Sequence, residues 1–328
     1  MYDIITFGSA TQDVFMSSRQ LKVVEDEKFI TKKGLCLALG SKMHMDNVFF
    51  AMGGCGTNTA VTFTRQGLKA AYFGIIGQDA FGQEVKKELT QQNVSTDLLK
   101  ESAEQPTAFS VILSLPDVGR SILEKLGACH QLTLEDIDFE KLKANWFYIA
   151  SLSGESYKVF EPLINFAAAN KIKLAVNPGK TQLNEGLETL RSGLNKMDIL
   201  ILNQEEAARL TDLDFQKEKE IFQKLDDWVD GIVVMTKGPN GVTVSDGHQL
   251  YSAGIPKSGL VDRTGAGDAF GAGFVAGWLV KEDITQAIQL GTANATACLQ
   301  KMGATNGLLK KGEWGEWKKV KIWNQQLN

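Results

Sequence analysis

Short apolar runs closed by glycine or a polar residue recur along the chain. Ile4-Ile5-Thr6-Phe7 ends at Gly8 and Ala70-Ala71-Tyr72-Phe73 at Gly74, and the signature returns at residues 146–149, 172–176, 198–202 and 232–235. Runs that are apolar throughout suit strands buried on both faces of a parallel sheet. Between them apolar side chains return at helical spacing, in residues 57–66, 81–91, 155–170, 204–210 and 216–229; Phe81, Val85 and Leu89 share one stripe. Buried strands alternating with helices predict an α/β fold, a doubly wound, mostly parallel sheet flanked by helices. Residues 266–279 are small, apolar and glycine-rich, as in a helix packed closely on a sheet. Residues 283–300 predict a second helix with Asp283 as its N-cap and Gly303 just past its end. The stretch 314–321, with Trp314 and Trp317, predicts a surface helix docking two tryptophans.

Two segments break the rhythm. Residues 14–52 are long, polar and poorly helical, with alternation over residues 43–50. Residues 105–124 predict a hairpin, strand 107–115 and strand 120–123, turning at Pro116-Asp117-Val118-Gly119. A loop of nearly 40 residues is improbable in a compact domain unless it has its own structure. The two segments are therefore expected to form a small β lid, 14–52 with 105–124. The α/β domain takes residues 1–13, 53–104 and 125–328.

Composition narrows the class. Thirty-five basic against 39 acidic side chains give a net charge of −4, the wrong balance for a nucleic-acid binder. Cys36, Cys55, Cys129 and Cys298 are scattered, so reduced thiols are expected rather than a zinc ribbon or a disulfide framework. The opening residues carry no basic stretch ahead of an apolar core. No apolar run approaches the ~20 residues of a membrane span. A cytoplasmic protein with neither membrane nor nucleic-acid partner is the expectation. His44, His130 and His248 are isolated and not at ligand spacing.

Chemistry concentrates after the predicted strands, where open α/β sheets bind ligands. In Asp262-Arg263-Thr264-Gly265-Ala266-Gly267-Asp268, two glycines straddle an alanine directly before a helix. Backbone N–H groups at a helix start point outward and the dipole favours an anion there, so a phosphate is the natural ligand. Asp268, one residue beyond, is either a capping carboxylate or a general base taking a proton from an attacking hydroxyl. Gly53-Gly54-Cys55-Gly56-Thr57-Asn58 opens another helix with Asn58 in its first turn, and Asp13 follows the first strand; both offer partners for vicinal hydroxyls. Asn203 to Glu206 and Thr236 to Gly241 follow two further strands. The chain contains no G-x-x-x-x-G-K-[ST], and no G-x-G-x-x-G follows the first strand, which argues against P-loop and dinucleotide-binding enzymes.

These motifs make the chain resemble the ribokinase-like (PfkB) family of carbohydrate and nucleoside kinases over essentially its whole length. The family's C-terminal signature, usually D-T-x-G-A-G-D, corresponds to residues 262–268, with arginine second. The glycine pair corresponds to Gly53 and Gly54 through Asn58, N-x-x-E to Asn203 and Glu206, and T-x-G-x-x-G to Thr236, Gly238 and Gly241. The resemblance implies a ribokinase-like fold and transfer of a phosphoryl group from ATP with Mg²⁺. It implies Asp268 as base and Gly265, Ala266 and Gly267 as the anion hole. Asp13, Gly53, Gly54 and Asn58 then hold the acceptor, and Thr236, Gly238, Gly241, Arg263, Thr264, Asn294 and Asn203 the nucleotide. Asn203 and Glu206 organise Mg²⁺ through water. Many members bind potassium beside the anion hole, here at Asp262 with groups of Cys298, Lys301 and Gly303.

Several positions keep two readings. Glu155 stands where ribokinases place a sugar-contacting glutamate, and is equally a first-turn carboxylate. Arg120 matches a lid arginine or is a solvated hairpin charge, and Arg263 either reaches a phosphate or covers the site. Cys55 replaces a lysine that ribokinases carry after the glycine pair. The acceptor is expected to be the hydroxymethyl group of a ribose- or fructose-like sugar, with an adenosine-type nucleoside as the alternative and a non-catalytic sensor as a remote third. Phe15, Met16, Phe49 and Phe50 are candidates for a wall against a base. Pairing of two copies through the lid is a further expectation.

Overall fold

The computed structural model describes residues 1–29, 32–115 and 119–327. Of the expected turn at 116–119, residues 116–118 lie outside them and Gly119 opens a strand. In chain order the strands are β1 (Tyr2–Phe7), β2 (Thr11–Ser17), β3 (Lys22–Glu25), β4 (Lys33–Cys36), β5 (Asn47–Gly53), β6 (Ala70–Gly77), β7 (Leu99–Ser102), β8 (Ala108–Leu115), β9 (Gly119–Lys125), β10 (Ala144–Ile149), β11 (Lys173–Val176), β12 (Ile199–Asn203), β13 (Ile232–Thr236), β14 (Val242–Ser245), β15 (Gln249–Ala253) and β16 (Ile322–Gln326). The helices are α1 (Cys55–Arg65), α2 (Ala80–Gln91), α3 (Phe160–Ala169), α4 (Lys180–Asn184), α5 (Leu187–Gly193), α6 (Gln204–Thr211), α7 (Glu218–Asp226), α8 (Ala266–Lys281) and α9 (Ile284–Cys298).

Among the described residues the larger sheet runs β16-β15-β14-β13-β12-β11-β10-β1-β6-β7. Pairing is parallel from β13 to β7 and antiparallel from β13 out to β16. Successive residues of each strand face opposite layers, which is why the runs are apolar at nearly every position. On β1, Ile5 and Phe7 pack with Phe147, Leu200 and Leu163 on one side, while Ile4 packs with Tyr148, Phe270 and Phe274 on the other. Strand order reverses at β1, flanked by β10 and β6, and the crevice at the carboxyl ends of these strands is where such sheets bind ligands.

A second sheet, β5-β2-β8-β9, is built from the two segments that break the α/β rhythm. Strand β2 lies between β5, antiparallel, and β8, parallel, and β8 and β9 form the expected hairpin. The chain leaves the larger sheet before Asp13 rather than after it, so Asp13 and Gly53 belong to the smaller sheet. Strand β5 begins at Asn47, later than the alternation suggests, and β3 and β4 pair as a separate hairpin.

The tail departs from expectation. Residues 314–321 are irregular, because Gly312 and Gly315 take positive φ (86° and 76°) and interrupt any helix. Both tryptophans nevertheless dock, against Ala293, Ala297 and Leu309, and the chain ends in β16, which extends the sheet beside β15. Asp283 caps α9 as expected, accepting from the amides of Thr285 and Gln286.

Candidate functional site

Helix α8 starts on Gly265, which is left-handed at φ 75°. The N–H groups of the following residues have no partner within the helix. Asp268, in the first turn, does not cap it. Its Oδ2 accepts from Asn58 Nδ2 at 2.9 Å, joining residues 210 apart in sequence. Burial lifts the Asp268 carboxyl to about 6, with the Asn58 bond opposing the shift. Asn58 stands on α1, whose start is fixed by Gly54 at φ 100°: a Cβ there would lie 2.5 Å from the Ser9 carbonyl oxygen. The Asn58 Oδ1 on the same side chain is buried and has no hydrogen-bond partner among the described residues, which leaves an acceptor for a ligand hydroxyl to satisfy.

Asp13 on β2 is buried and accepts from Thr11 Oγ1 at 3.0 Å. Its carboxyl is also lifted to about 6, mainly by burial and further by the negative charges of Asp262 and Glu124, against hydrogen bonds from Thr11 and Ser110. A Cβ on Gly53 would lie 2.1 Å from Asp13 Oδ2. The two glycines thus divide the work: Gly53 leaves room for the carboxylate and Gly54 turns the chain into α1. The repulsion from Asp262 felt at Asp13 shows that the smaller sheet lies beside the loop before α8.

From the start of α8 a cleft of about 630 Å³ runs outward. Four residues expected at the nucleotide line it, Thr236, Gly238, Gly241 and Arg263, with Ala266 and Gly267 of the expected anion hole. Gly241 is forced: at φ 90° its Cβ would lie 1.9 Å from the Ala253 carbonyl oxygen. The loop is anchored by Lys237, whose Nζ lies 3.0 Å from Glu218 Oε2 and donates to Thr243 Oγ1 at 2.8 Å. Sequence reasoning missed the apolar wall of this cleft, formed by Ile255, Leu260, Phe270 and Leu299, and the two threonines Thr292 and Thr296. The recurrence of Thr292 and Thr296 on α9 and of Leu299 at its C-cap, along one stripe, is the signal that could have found part of it.

Asn203 and Glu206 form a reciprocal capping box at the start of α6. Glu206 N donates to Asn203 Oδ1 and Asn203 N donates to Glu206 Oε2, each at 2.8 Å. Burial raises the Glu206 carboxyl above its ordinary range. Among the described residues no three His, Cys, Asp or Glu side chains converge as a metal cage. A Mg²⁺ that arrives on phosphates and keeps most of its waters needs none, so this pair fits an outer role.

Other expected positions have their side chains engaged within the protein. Asn294 is fully buried: it donates to the Ala269 carbonyl at 2.8 Å and accepts from Leu309 N at 2.9 Å, so its amide ties α8, α9 and the tail together and is turned away from the cleft. Glu155 is exposed and pairs with Lys158 three residues on. The expected potassium site also departs from expectation. Asp262 Oδ1 accepts from Thr264 N at 3.1 Å, Thr264 Oγ1 at 2.8 Å and Arg120 Nη1 at 2.8 Å, while Oδ2 accepts from Gly303 N at 3.1 Å. Cys298 donates its thiol to the carbonyls of Thr264 and Ala304, and its own carbonyl accepts from Lys301 N. These donors, one of them cationic, do not fit a potassium ion at Asp262.

The pfkB family carbohydrate kinase model matches residues 23–311. The ribokinase of Haemophilus influenzae is 27% identical over 285 residues, covering 84% of this chain and 89% of that protein. A candidate ribokinase II from Escherichia coli, solved with ATP and Mg²⁺, superposes with a TM-score of 0.79 at 17% identity, over 94% of this chain and 96% of its own. The adenosine kinase of Sinorhizobium meliloti gives 0.74 at 23% identity, over 92% and 95%. The chain belongs to the pfkB carbohydrate kinase family, and with it to the sugar and nucleoside kinases of ribokinase fold. No helix among the described residues is long and apolar enough to cross a membrane.

Proposed function

We propose that the chain transfers the γ-phosphoryl group of ATP to the hydroxymethyl oxygen of a small ribose- or fructose-like sugar. The observation that carries the reading is the Asn58–Asp268 bond, which places a raised carboxylate beside an unpartnered buried amide oxygen at the mouth of a helix N-terminus. Asp13 and Asn58 hold neighbouring sugar hydroxyls. Asp268 takes the proton of the attacking hydroxyl, and the hydroxyl oxygen bonds to the γ-phosphorus as the bond to the leaving ADP oxygen breaks. The amides of Gly265, Ala266 and Gly267 receive the charge on the phosphoryl oxygens, in the preorganised manner that dominates such transfers. Asn203 and Glu206 would hold Mg²⁺ through water, and the ion would supply further neutralisation of the phosphate charge. The smaller sheet acts as a lid carrying Asp13 and Arg120 over the acceptor.

A nucleoside acceptor is the second reading, favoured by one contact. The Phe49 ring lies against Gly303 beside the Asp262 loop, 6.1 Å from the Phe15 ring, and offers an aromatic wall for a base. A panel of ribose, fructose, adenosine and inosine with Mg-ATP decides: phosphorylation of nucleosides alone overturns the sugar reading. Asp13→Asn is expected to raise the acceptor KM about 10- to 100-fold, the effect of losing a hydrogen bond to a charged group, and to leave the ATP KM unchanged. Equal loss on both substrates would remove Asp13 from the acceptor site.

Val48, Phe50 and Leu123 expose about half of their surfaces on one face of the smaller sheet. They support pairing of two copies through the lid. Sedimentation is expected to show a dimer that Phe50→Glu with Leu123→Glu dissociates; a wild-type monomer at high concentration removes the pairing.

A further inference from the structure

We propose that the guanidinium of Arg120 takes the place beside Asp262 that a monovalent cation would need, so that this kinase works without potassium and its anion hole is completed by the lid. The inference rests on the kinase reading of the site.

Asp262 is nearly inaccessible, its side chain 7% exposed, and it stands at the head of the loop that ends in Gly265. Its carboxylate binds that loop to itself through Thr264 and binds the neighbouring Gly303 loop through the Gly303 amide. A buried carboxylate in that place requires a positive partner. The partner present is Arg120, at 2.8 Å, and it also donates to Thr264 Oγ1. Arg120 comes from β9, at the edge of the smaller sheet, 142 residues away in sequence. A potassium ion added at the same carboxylate would face the guanidinium at close range, with like charges repelling where water screens poorly. Of the carbonyls that could have ringed an ion, those of Cys298 and Leu299 accept backbone N–H donors, and those of Thr264 and Ala304 share the single hydrogen of the Cys298 thiol.

A charge carried by the lid differs from a dissolved ion in one consequence. It arrives only when the smaller sheet is down over the acceptor, so acceptor enclosure and ordering of the loop before α8 become one event. Arg120 is thereby a positioning residue, acting on the phosphoryl site through Asp262.

Rates with Mg-ATP and the phosphorylated acceptor are compared in potassium chloride and in tetramethylammonium chloride at equal ionic strength. The wild type is expected to run equally fast in both, and clear activation by potassium overturns the proposal. Arg120→Gln is expected to lose turnover on the order of 10²-fold, the size of effect of one lost charge-stabilising donor, and to regain part of it specifically with potassium. Arg120→Lys is expected to retain more activity than Arg120→Gln and to stay indifferent to potassium. An Arg120→Gln variant with wild-type turnover overturns the proposal. Melting curves in the two salts need no acceptor: the wild type is expected to melt alike in both, and Arg120→Gln to gain stability in potassium alone. A chain that phosphorylates nothing yet shows this melting pattern refutes the kinase reading and keeps the cation assignment. A chain that phosphorylates sugars only with potassium does the reverse.

Discussion

Asp268→Asn is expected to lower turnover by about 10²–10⁴-fold, the usual loss on removing a general base, with little change in either KM and a higher melting temperature. The amide keeps the size of the carboxyl group and still accepts from Asn58 Nδ2, so the ground-state site is preserved while the proton acceptor is gone. The gain in stability follows from the sign of the shift. Burial moves the carboxyl from 3.8 to about 6, so between these values the folded chain binds the proton more tightly than the unfolded one. Stability contributed by this group therefore falls as pH rises through that window, and above it the folded state carries a desolvated charge that unfolding would release to water. Asparagine removes that cost. A helix cap would behave oppositely, losing about 0.5–2 kcal/mol on substitution, but α8 has no side-chain cap and the Asp268 carboxylate bonds to Asn58 instead. With both substrates saturating, wild-type turnover should rise through about pH 6, and the residual rate of the variant should lack that limb. Near-normal turnover in Asp268→Asn would end the mechanism.

What could be read from the sequence follows from how much freedom each position had. The parallel strands were legible because a strand covered on both faces is apolar at nearly every position, as in Ile4 to Phe7, where Thr6 is the one polar residue, and Ile199 to Leu202. Strand β16 was not: four of its five residues are exposed, so it carries no pattern, and its partner β15 is short and half polar. The smaller sheet was visible only as an interruption, and the assignment of Asp13 to it depended on a crossing at residues 8–10 that leaves no pattern. At the site, Gly54 and Gly265 were legible because backbone geometry admits little else there. Asn294 was misplaced because a polar residue on an apolar helix reads alike whether it faces a cleft or ties two helices in the core. Arg120 kept two readings until the fold brought β9 to Asp262; nothing local at Arg120 encodes a partner 142 residues away.

Two neighbouring glycines should fail in different ways. At Gly265 the backbone is left-handed, and a Cβ would lie 2.4 Å from the Ala304 Cβ and 2.9 Å from its Cα. Alanine must therefore bear the left-handed penalty of about 1–2 kcal/mol and push Ala304 away, and with it the adjoining Gly303 amide that Asp262 holds. Gly265→Ala is expected to melt earlier and to lose turnover on the order of 10²–10³-fold as the anion hole opens. Gly267 stands inside the first turn of α8, and a Cβ there meets nothing within 4 Å on the protein. Its alanine variant should fold as well or better, since alanine is favoured over glycine in a helix by about 0.5–1 kcal/mol. The added methyl group would instead stand in the cleft that Gly267 lines, so the ATP KM should rise while the melting temperature holds. If Gly267→Ala binds ATP as the wild type does, the nucleotide phosphates do not lie on this helix start. If Gly265→Ala keeps full turnover, the amides before Asp268 do not carry the transferring charge.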